Sequence, residues 1–361
     1  MNLRIPGPTP LPPEAIAALA QQMINHRGPE FEALFGEISA WLKLFFETEQ
    51  EVLVLTCSGT GGMEAAIANT LSPGDRVLAV PVGTFGDRFV EIAEAYGADV
   101  TRMAFPLGQA ADPAAVAAKV AADGPYRAVL LTQNETSTGV TNDIQALSAA
   151  IRAVADPAPL LLVDGISALG AVRMPMDAWK LDVVVSSSQK AWMAPPGLAF
   201  VAMSERAWAA NKTAKMPRYY LDLAQARKYA RRNQTPATPN LPALYGLHVS
   251  LKRMVAEGLD AIEARHERIG AYCRQRALAL GLTLYADPRH ASNTVSALGL
   301  KPGMNAEVVL EKLRVGYDII CAASKDPRVE VIRIGHMGYV SVADIDAVFA
   351  ALATILTDAS R

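Results

Sequence analysis

The chain has 361 residues, 51% of them hydrophobic and 19% charged, which is enough for one large domain and a smaller one. Its 34 basic and 36 acidic residues leave a net charge of −2, so the composition indicates neither a nucleic-acid nor a membrane partner. Three widely spaced cysteines without a CxxC pair argue against a disulfide framework or a metal site and are typical of a cytoplasmic protein.

The chain begins with a segment that predicts an extended arm, at residues 1–16. Residues 1–13 carry five prolines, which exclude a regular helix or a central strand there. Two helical patterns follow, separated by a break at residues 25–28. Apolar runs then alternate with helical segments, and the runs predict strands at residues 51–56, 76–82, 99–105, 126–133, 160–164, 183–190 and 198–203.

This alternation predicts an α/β fold, with a mostly parallel sheet between layers of helices. The run at 198–203 follows a Pro-Pro-Gly turn and could instead be antiparallel to its neighbour. Prolines interrupt the pattern after residue 212, and a long helix, with a kink near 257–258, is expected at about 243–280. Short strands and helices then predict a small α+β domain, so we place the large domain at 17–245 and the small one at 246–361.

Two predicted strands each end in one charged side chain, Asp164 and Lys190. Because ligands of α/β sheets bind at the carboxyl ends of the strands, we expect both side chains at one edge of the sheet. An amine that forms a Schiff base and a carboxylate that keeps a ring nitrogen protonated are what pyridoxal phosphate (PLP) requires. Taken alone, this pair is interpreted equally well as two charged side chains at a sheet edge that are neutralised by their neighbours and have no role in catalysis.

Small and polar residues follow two other predicted strands. Ser58, Gly59 and Thr60 lie between a strand and a helix, where backbone N–H groups suit a phosphate, although a plain turn is the alternative. Glu64 stands where a dinucleotide-binding GxGxxG pattern needs its third glycine. Phe85, just past the next strand, can stack on a planar ring or pack in the core.

Two further groups complete a predicted cradle for a ligand. The polar cluster at residues 134–139 is either a binding loop or a lead into the next helix. Arg333 ends a predicted strand of the small domain, where its guanidinium suits a substrate carboxylate or a surface ion pair. No second basic residue is assigned to a side-chain carboxylate, which favours a small amino acid as substrate.

Motifs along almost the whole chain resemble those of the class V aminotransferases of fold-type I, in the alanine–glyoxylate and serine–pyruvate group. Ser-Gln-Lys followed by Pro-Pro-Gly is the most specific of them. In chain order the motifs are PGPTPLPP at 6–13, SGTGGMEAA at 58–66, GTFGDR at 83–88, NETSTGV at 134–140, VDGISALG at 163–170, SSSQKAWMAPPG at 186–197, TPATPNLPALYGL at 235–247 and RIGHMG at 333–338.

The resemblance implies a role for each matching residue. Lys190 would hold PLP, Asp164 would pair with its pyridine nitrogen, and Phe85 would stack on its ring. Thr136 would bind the ring hydroxyl. The implied ligands of the phosphate are Ser58, Gly59, Thr60 and Gln189, and the implied substrate contacts are Arg333 and Gly7.

The resemblance also implies a homodimer with shared active sites. Thr235 and Thr238 fall where family members reach the phosphate of the neighbouring subunit, although some members have a tyrosine at the first of these positions. His26 and Arg27 could line the partner's site, and a packing histidine is the alternative for His26.

The implied activity is a ping-pong transamination, from alanine or serine to glyoxylate or pyruvate, in which Lys190 carries the proton. Ureidoglycine, aspartate or an aminophosphonate are alternative substrates. A lyase of the cysteine desulfurase type would need a thiolate, and Cys321 lies in an apolar run that favours a structural cysteine. A PLP-binding subunit without catalysis and a nicotinamide dehydrogenase are the remaining alternatives.

Overall fold

The structure is a computed structural model that describes residues 1–324 and 328–358. Its strands are β1 (Asn2–Leu3), β2 (Val52–Leu55), β3 (Arg76–Ala79), β4 (Asp99–Arg102), β5 (Ala128–Thr132), β6 (Asn134–Glu135), β7 (Val140–Thr141), β8 (Leu160–Asp164), β9 (Val183–Ser187), β10 (Ala199–Met203), β11 (Thr283–Leu284), β12 (Val295–Gly299), β13 (Ile319–Ile320), β14 (Ala322–Ala323) and β15 (Ile332–Gly335). Its helices are α1 (Pro13–Ala18), α2 (Pro29–Phe46), α3 (Gly59–Thr70), α4 (Thr84–Ala95), α5 (Pro113–Asp123), α6 (Ile144–Val154), α7 (Glu205–Asn211), α8 (Leu223–Ala230), α9 (Leu241–Glu257), α10 (Leu259–Ala279), α11 (Ala306–Tyr317) and α12 (Val342–Asp358), with a 3-10 turn at Pro288–His290.

A seven-stranded sheet forms the centre of the first two hundred residues. Its strands lie in the order β2-β10-β9-β8-β5-β3-β4. The pairs from β9 to β4 are parallel, and β10 is antiparallel to both of its neighbours. Apolar side chains from the two faces of the sheet pack into separate cores under the helices. The α/β class, the mostly parallel sheet and the antiparallel orientation of 198–203 are therefore confirmed.

Buried aromatic rings hold the segment that follows β9. The ring of Trp192 is fully buried and packs against Phe45, Phe46 and Phe200, with ring centroids 5.8, 6.0 and 5.3 Å away. Its indole N–H donates a hydrogen bond of 2.8 Å to the hydroxyl of Ser186 in β9. These contacts fix the chain between the sheet and α2, directly after the predicted catalytic lysine.

The C-terminal part forms a smaller antiparallel sheet, in the order β11-β12-β15-β14, with α10, α11 and α12 packed on a core of its own. The single kinked helix expected at 243–280 is wrong, because α9 and α10 are separate helices. Gly258 lies between them with a φ of +86°, a left-handed conformation that glycine adopts without a steric penalty and that ends a right-handed helix. This turn redirects the chain from the first core to the second.

The predicted domain boundary at residue 245 lies inside α9. Leu251 and Met254 of this helix belong to the core of the large sheet, whereas Ile269 and Cys273 of α10 belong to the core of the small one. The division into residues 1–16, 17–245 and 246–361 stays a prediction.

The N-terminal arm links the two parts. Strand β1 pairs in parallel with β13 of the small domain. The backbone N–H of Gly335 donates to the carbonyl of Arg4 (2.6 Å), and the N–H of Thr9 donates to the carbonyl of Gln189 (3.0 Å). The arm therefore connects the small sheet directly to the segment that carries Lys190. No helix within the described ranges is long and apolar enough to cross a bilayer.

The hydrogen bond between Trp192 and Ser186 yields a test of this packing. Ser186→Ala leaves the buried indole N–H without an acceptor, and we expect the free energy of unfolding to fall by about 1–3 kcal/mol, measured by chemical denaturation. Trp192→Phe removes the donor, so adding Ser186→Ala to it should cost much less than in the wild type. Equal losses in both backgrounds would contradict the interaction.

Candidate active site

The carboxyl ends of the strands bring most of the predicted site residues to one edge of the large sheet. Asp164 is the last residue of β8 and is 4% exposed. Lys190 lies three residues beyond β9, which neighbours β8 in the sheet. The positive charge of Lys190 acts on Asp164, and Asp164 acts in turn on Lys190. The structure thus places the amine and the carboxyl in one buried site.

The amine of Lys190 is held against the N-terminal arm. Its Nζ donates a hydrogen bond to the carbonyl of Pro6. A Cβ on the next residue, Gly7, would lie 2.6 Å from that Nζ, and Gly7 also has a φ of +125°. A side chain at Gly7 would therefore collide with the amine in a strained backbone. Sequence reasoning placed Gly7 at the substrate, and the structure places it beside Lys190.

Burial moves both groups of the pair toward neutrality. It raises the pKa of Asp164 to about 7, where the charge of nearby Glu135 acts in the same direction and Lys190 and Arg88 oppose it. Burial also lowers the pKa of Lys190 to about 8, with Asp164 opposing and the positive charges of Arg333 and Arg88 contributing. A lysine that loses its proton near pH 8 can act as a nucleophile and as a carrier of protons.

The predicted phosphate loop is the first turn of a helix. Helix α3 begins at Gly59, with Ser58 at its N-cap, so the expectation that Gly59 and Thr60 lie between a strand and a helix is wrong, because both belong to the helix. A Cβ at Gly59 would lie 2.7 Å from the Ile166 side chain and 3.0 Å from that of Ser187, which explains why the helix can start this close to the sheet. Unpaired N–H groups of this twelve-residue helix face the same edge and suit a phosphate.

Gln189 lies at the same helix start. The hydroxyl of Ser187, next to Gly59, donates a hydrogen bond of 2.5 Å to the side-chain oxygen of Gln189. The predicted contacts of Ser58, Gly59, Thr60 and Gln189 to a phosphate stay predictions.

A half-buried aromatic ring and an arginine border the site from α4. Phe85 and Arg88 lie one turn apart, and the guanidinium carbon of Arg88 is 4.8 Å from the centroid of the Phe85 ring. Within the described parts of the chain Arg88 forms no hydrogen bond or ion pair, yet its charge reaches both Asp164 and Lys190. Sequence reasoning gave Arg88 no role, and its place in GTFGDR was the available signal. Arg88 is therefore a second basic residue that acts on Lys190, where sequence reasoning assigned none to a side-chain carboxylate.

Arg333 joins the small domain to the polar loop at 134–139, which contains the short β6–β7 hairpin. Its Nη1 donates to the carbonyl of Thr136 (3.2 Å), and its Nη2 and Nε donate to the carbonyl of Ala323 (2.7 and 3.2 Å). Arg333 is 8% exposed, and its charge contributes to the lowered pKa of Lys190. The structure therefore brings Thr136 and Arg333 to the site, while their contacts to a cofactor and a substrate stay predictions.

Thr235 and Thr238 lie apart from this group. They line a separate cavity of about 330 Å³, together with Thr56, Tyr219 and Tyr220. Tyr219 is 94% exposed. The hydroxyl of Thr235 donates to the carbonyl of Ala237 (2.7 Å). Arg27 donates to the carbonyl of Thr235 (2.5 Å), and neighbouring His26 is half-buried.

Burial raises the pKa of all three thiols, Cys57, Cys273 and Cys321, to about 12. A thiol of this kind stays protonated at neutral pH and is a poor nucleophile. Among the described residues, no group of three or more His, Cys, Asp or Glu side chains could hold a metal ion.

The residues at this edge fit PLP. A neutralisable lysine amine, a buried carboxyl, an aromatic ring and a helix N-terminus match the aldehyde, the ring nitrogen, the ring face and the phosphate of that cofactor. Lys190 would bind the aldehyde and Asp164 the ring nitrogen. Phe85 would stack on the ring, and the phosphate would bind at Ser58–Thr60.

Known proteins resemble this chain over nearly its whole length. A family model described as aminotransferase class-V matches residues 3–347. A protein of Anabaena cylindrica named soluble hydrogenase 42 kDa subunit is 43% identical, over 99% of this chain and 94% of its own. L-aspartate–glyoxylate aminotransferase of Paracoccus denitrificans is 39% identical, over 92% and 85%. The crystal structure of alanine–glyoxylate aminotransferase from Nostoc sp. superimposes with a TM-score of 0.93 at 30% identity, over 98% and 94%.

The lowered pKa of Lys190 predicts how the cofactor-free protein takes up PLP. The amine attacks an aldehyde only when it is unprotonated, so the rate of uptake should rise with pH and level off above about 8. The growth of the visible absorbance band after mixing measures this rate. Lys190→Ala should show no such band at any pH while its circular dichroism is unchanged. A midpoint near 10.5, the ordinary pKa of a lysine, would contradict the site's geometry.

Proposed function

This chain belongs to the class V aminotransferase family of PLP-dependent transaminases, and we propose that it transfers the amino group of a small amino acid, alanine or serine, to glyoxylate or pyruvate. The observation that carries the proposal is the pair of half-buried Lys190 and buried Asp164 at the carboxyl edge of the sheet, with Arg333 close enough to act on the amine. An amine, an acid and a carboxylate-binding cation are the groups that transamination of an amino acid requires.

Lys190 is the proton carrier in this proposal. When bound, PLP supplies an electron sink for the charge that develops at the α-carbon of the amino acid. The Nζ of Lys190, with a pKa of about 8, takes the proton from the α-carbon of the amino acid. It then delivers this proton to the carbon on the other side of the amino nitrogen. The carbonyl of Pro6 orients this amine.

Asp164 and Arg333 hold the two ends of the reacting system. The carboxylate of Asp164 accepts a hydrogen bond from the N–H of Ile166 (2.8 Å), which fixes its direction at the end of β8. In this orientation it would pair with a protonated ring nitrogen, and that partner would keep it ionised although burial raises its pKa. The guanidinium of Arg333 would bind the α-carboxylate of the substrate, because carboxylate and guanidinium form paired charge-assisted hydrogen bonds.

The proposed acceptor follows from the relatives, two of which are named for glyoxylate. A second candidate donor, aspartate, is favoured by Arg88, because this guanidinium lies near Lys190 without a hydrogen bond or ion pair to another described residue. It could bind a second carboxylate, such as that of the aspartate for which the relative from Paracoccus is named. The lyase alternative gains no support, since burial raises the pKa of Cys321 to about 12.

The proposal includes a cytoplasmic homodimer with shared active sites. Thr235 and Thr238 line a cavity beside the highly exposed Tyr219, outside the group around Lys190. A surface of this kind would be completed by a second copy of the chain, whose phosphate site these hydroxyls would reach.

Asp164→Asn tests the role of the acid. The amide keeps the size of the side chain but cannot balance a positive ring nitrogen, so we expect kcat to fall by at least about 100-fold. The visible band of bound PLP should remain, because Lys190 is unchanged. Steady-state kinetics and an absorbance spectrum check both parts, and a variant with wild-type kcat would refute the assignment.

The amino donor is identified by titrating the PLP-loaded protein with L-alanine, L-serine and L-aspartate. We expect alanine or serine to convert the visible band to one at shorter wavelength, and glyoxylate or pyruvate to restore it. If aspartate is the better donor, Arg88→Gln should raise its half-saturating concentration at least about tenfold, by loss of a charge-assisted contact, and change that of alanine much less. A band that none of the three donors changes would contradict the proposed substrates.

A further inference from the structure

Glu135 is a buried acid at the centre of the site for which the proposed chemistry has no role. Its side chain is fully buried. One carboxylate oxygen accepts from the N–H groups of Phe85 (2.9 Å) and Gly86 (3.1 Å). The other accepts from the N–H (3.0 Å) and the hydroxyl (2.6 Å) of Ser137. All four partners are therefore hydrogen-bond donors.

This set of partners favours a carboxylate ion, because three of the four are backbone N–H groups, which can only donate. An ionised carboxyl is an acceptor with about four lone-pair positions, whereas a protonated one would need an acceptor for its own O–H. Two of the donors belong to the first turn of α4, where the helix dipole stabilises a negative charge. Burial raises the pKa of Glu135 above its ordinary value, although these hydrogen bonds and the charge of Arg333 act in the opposite direction and favour the ionised form.

The carboxylate joins two parts of the site that the chain places far apart. On one side it holds the start of α4, whose Phe85 and Arg88 border the cofactor site. The hydroxyl of Ser137 extends this hold by accepting from the N–H of Thr84 (3.2 Å). On the other side Glu135 precedes Thr136, whose carbonyl accepts from Arg333. Gly83 has no room for a side chain between them, because a Cβ there would lie 2.6 Å from the Cγ of Glu135.

We propose that ionised Glu135 is a positioning residue, which fixes the ring-stacking helix α4 and the carboxylate-binding Arg333 relative to each other and sets the electrostatic balance around Lys190. The inference rests on the proposed function of this site. Glu135 transfers no proton itself. The charged groups that it acts on are Arg333 from β15 and Asp164 from β8, and both of these, together with Arg88, act on Lys190.

Glu135→Gln removes the charge and directs an NH2 group at two of the four donors. We expect the half-saturating PLP concentration to rise at least about tenfold, and the half-saturating concentration of the amino donor to rise as Arg333 loses its alignment. The negative charge of Glu135 offsets the positive charge of Arg333, which disfavours protonation at Lys190, so loss of that negative charge also disfavours the protonated form of the lysine–cofactor linkage. The pH midpoint of the visible band should therefore fall by about half a unit or more, measured by spectrophotometric titration.

Asp182→Asn is the matched control. Asp182 is a carboxyl 1% exposed at the opposite end of β9, where it accepts from the N–H of Leu161 (2.9 Å) and pairs with Arg152 and Arg206. Its loss should lower the thermal midpoint and leave the pH midpoint of the band unchanged. If Glu135→Gln behaves in the same way, Glu135 is merely structural and the inference is wrong.

Ser137→Ala keeps the charge but removes one of the four hydrogen bonds and the contact to Thr84. It should weaken PLP binding by about threefold or more without moving the pH midpoint, and it keeps the inference testable if Glu135→Gln does not fold. Wild-type PLP affinity in Ser137→Ala would overturn the inference. A wild-type protein without a visible band would refute the proposed function itself, whereas a normal band with an unaffected Glu135→Gln would refute the inference alone.

Discussion

Removal of one amine and one carboxyl from water is the constraint on which the rest of this structure depends. Asp164 is the last residue of β8 and Lys190 follows the adjacent strand β9, and burial disfavours the charged form of each. Their mutual attraction offsets part of that cost. The residual shift leaves the lysine able to lose its proton near pH 8, which an exposed lysine does not do. The proposed chemistry thus depends on the burial of both groups at the carboxyl ends of β8 and β9.

Backbone groups as well as side chains stabilise the charged forms of Lys190 and Asp164. The carbonyl of Pro6 accepts from the lysine, and the N–H of Ile166 donates to the aspartate. The N-termini of α3 and α4 face the same space, one free for a phosphate and the other occupied by the carboxylate of Glu135. Because backbone groups in packed elements barely move, such a site is oriented before any ligand binds.

Three parts of the chain meet at Lys190, so the site depends on how they are joined. The arm reaches it through Pro6 and Gly7, and pairs with the small domain through β1. Arg333 connects the small sheet to the loop after β5. A shift of the small domain would therefore move both the arm and the arginine against the lysine. Because of this coupling, a change in the packing around Glu135 or Arg333 would alter the position and the pKa of the lysine amine.

The sequence by itself determined the α/β class and the alternating order of the elements, because apolar periodicity and strand ends are local properties of the chain. The cofactor and the cradle of Asp164, Phe85, Lys190 and Arg333 were predicted from strand ends together with the resemblance of the motifs to a known family. Tertiary structure alone decided that 243–280 is two helices, that Gly7 packs on the lysine amine, and that Arg88 and Glu135 belong to the site. Those facts depend on contacts between residues distant in the chain and on the loss of water around them. The local pattern of residue types does not reveal long-range contacts or burial. For that reason the sequence could not show that Glu135, in a polar loop, is buried rather than exposed.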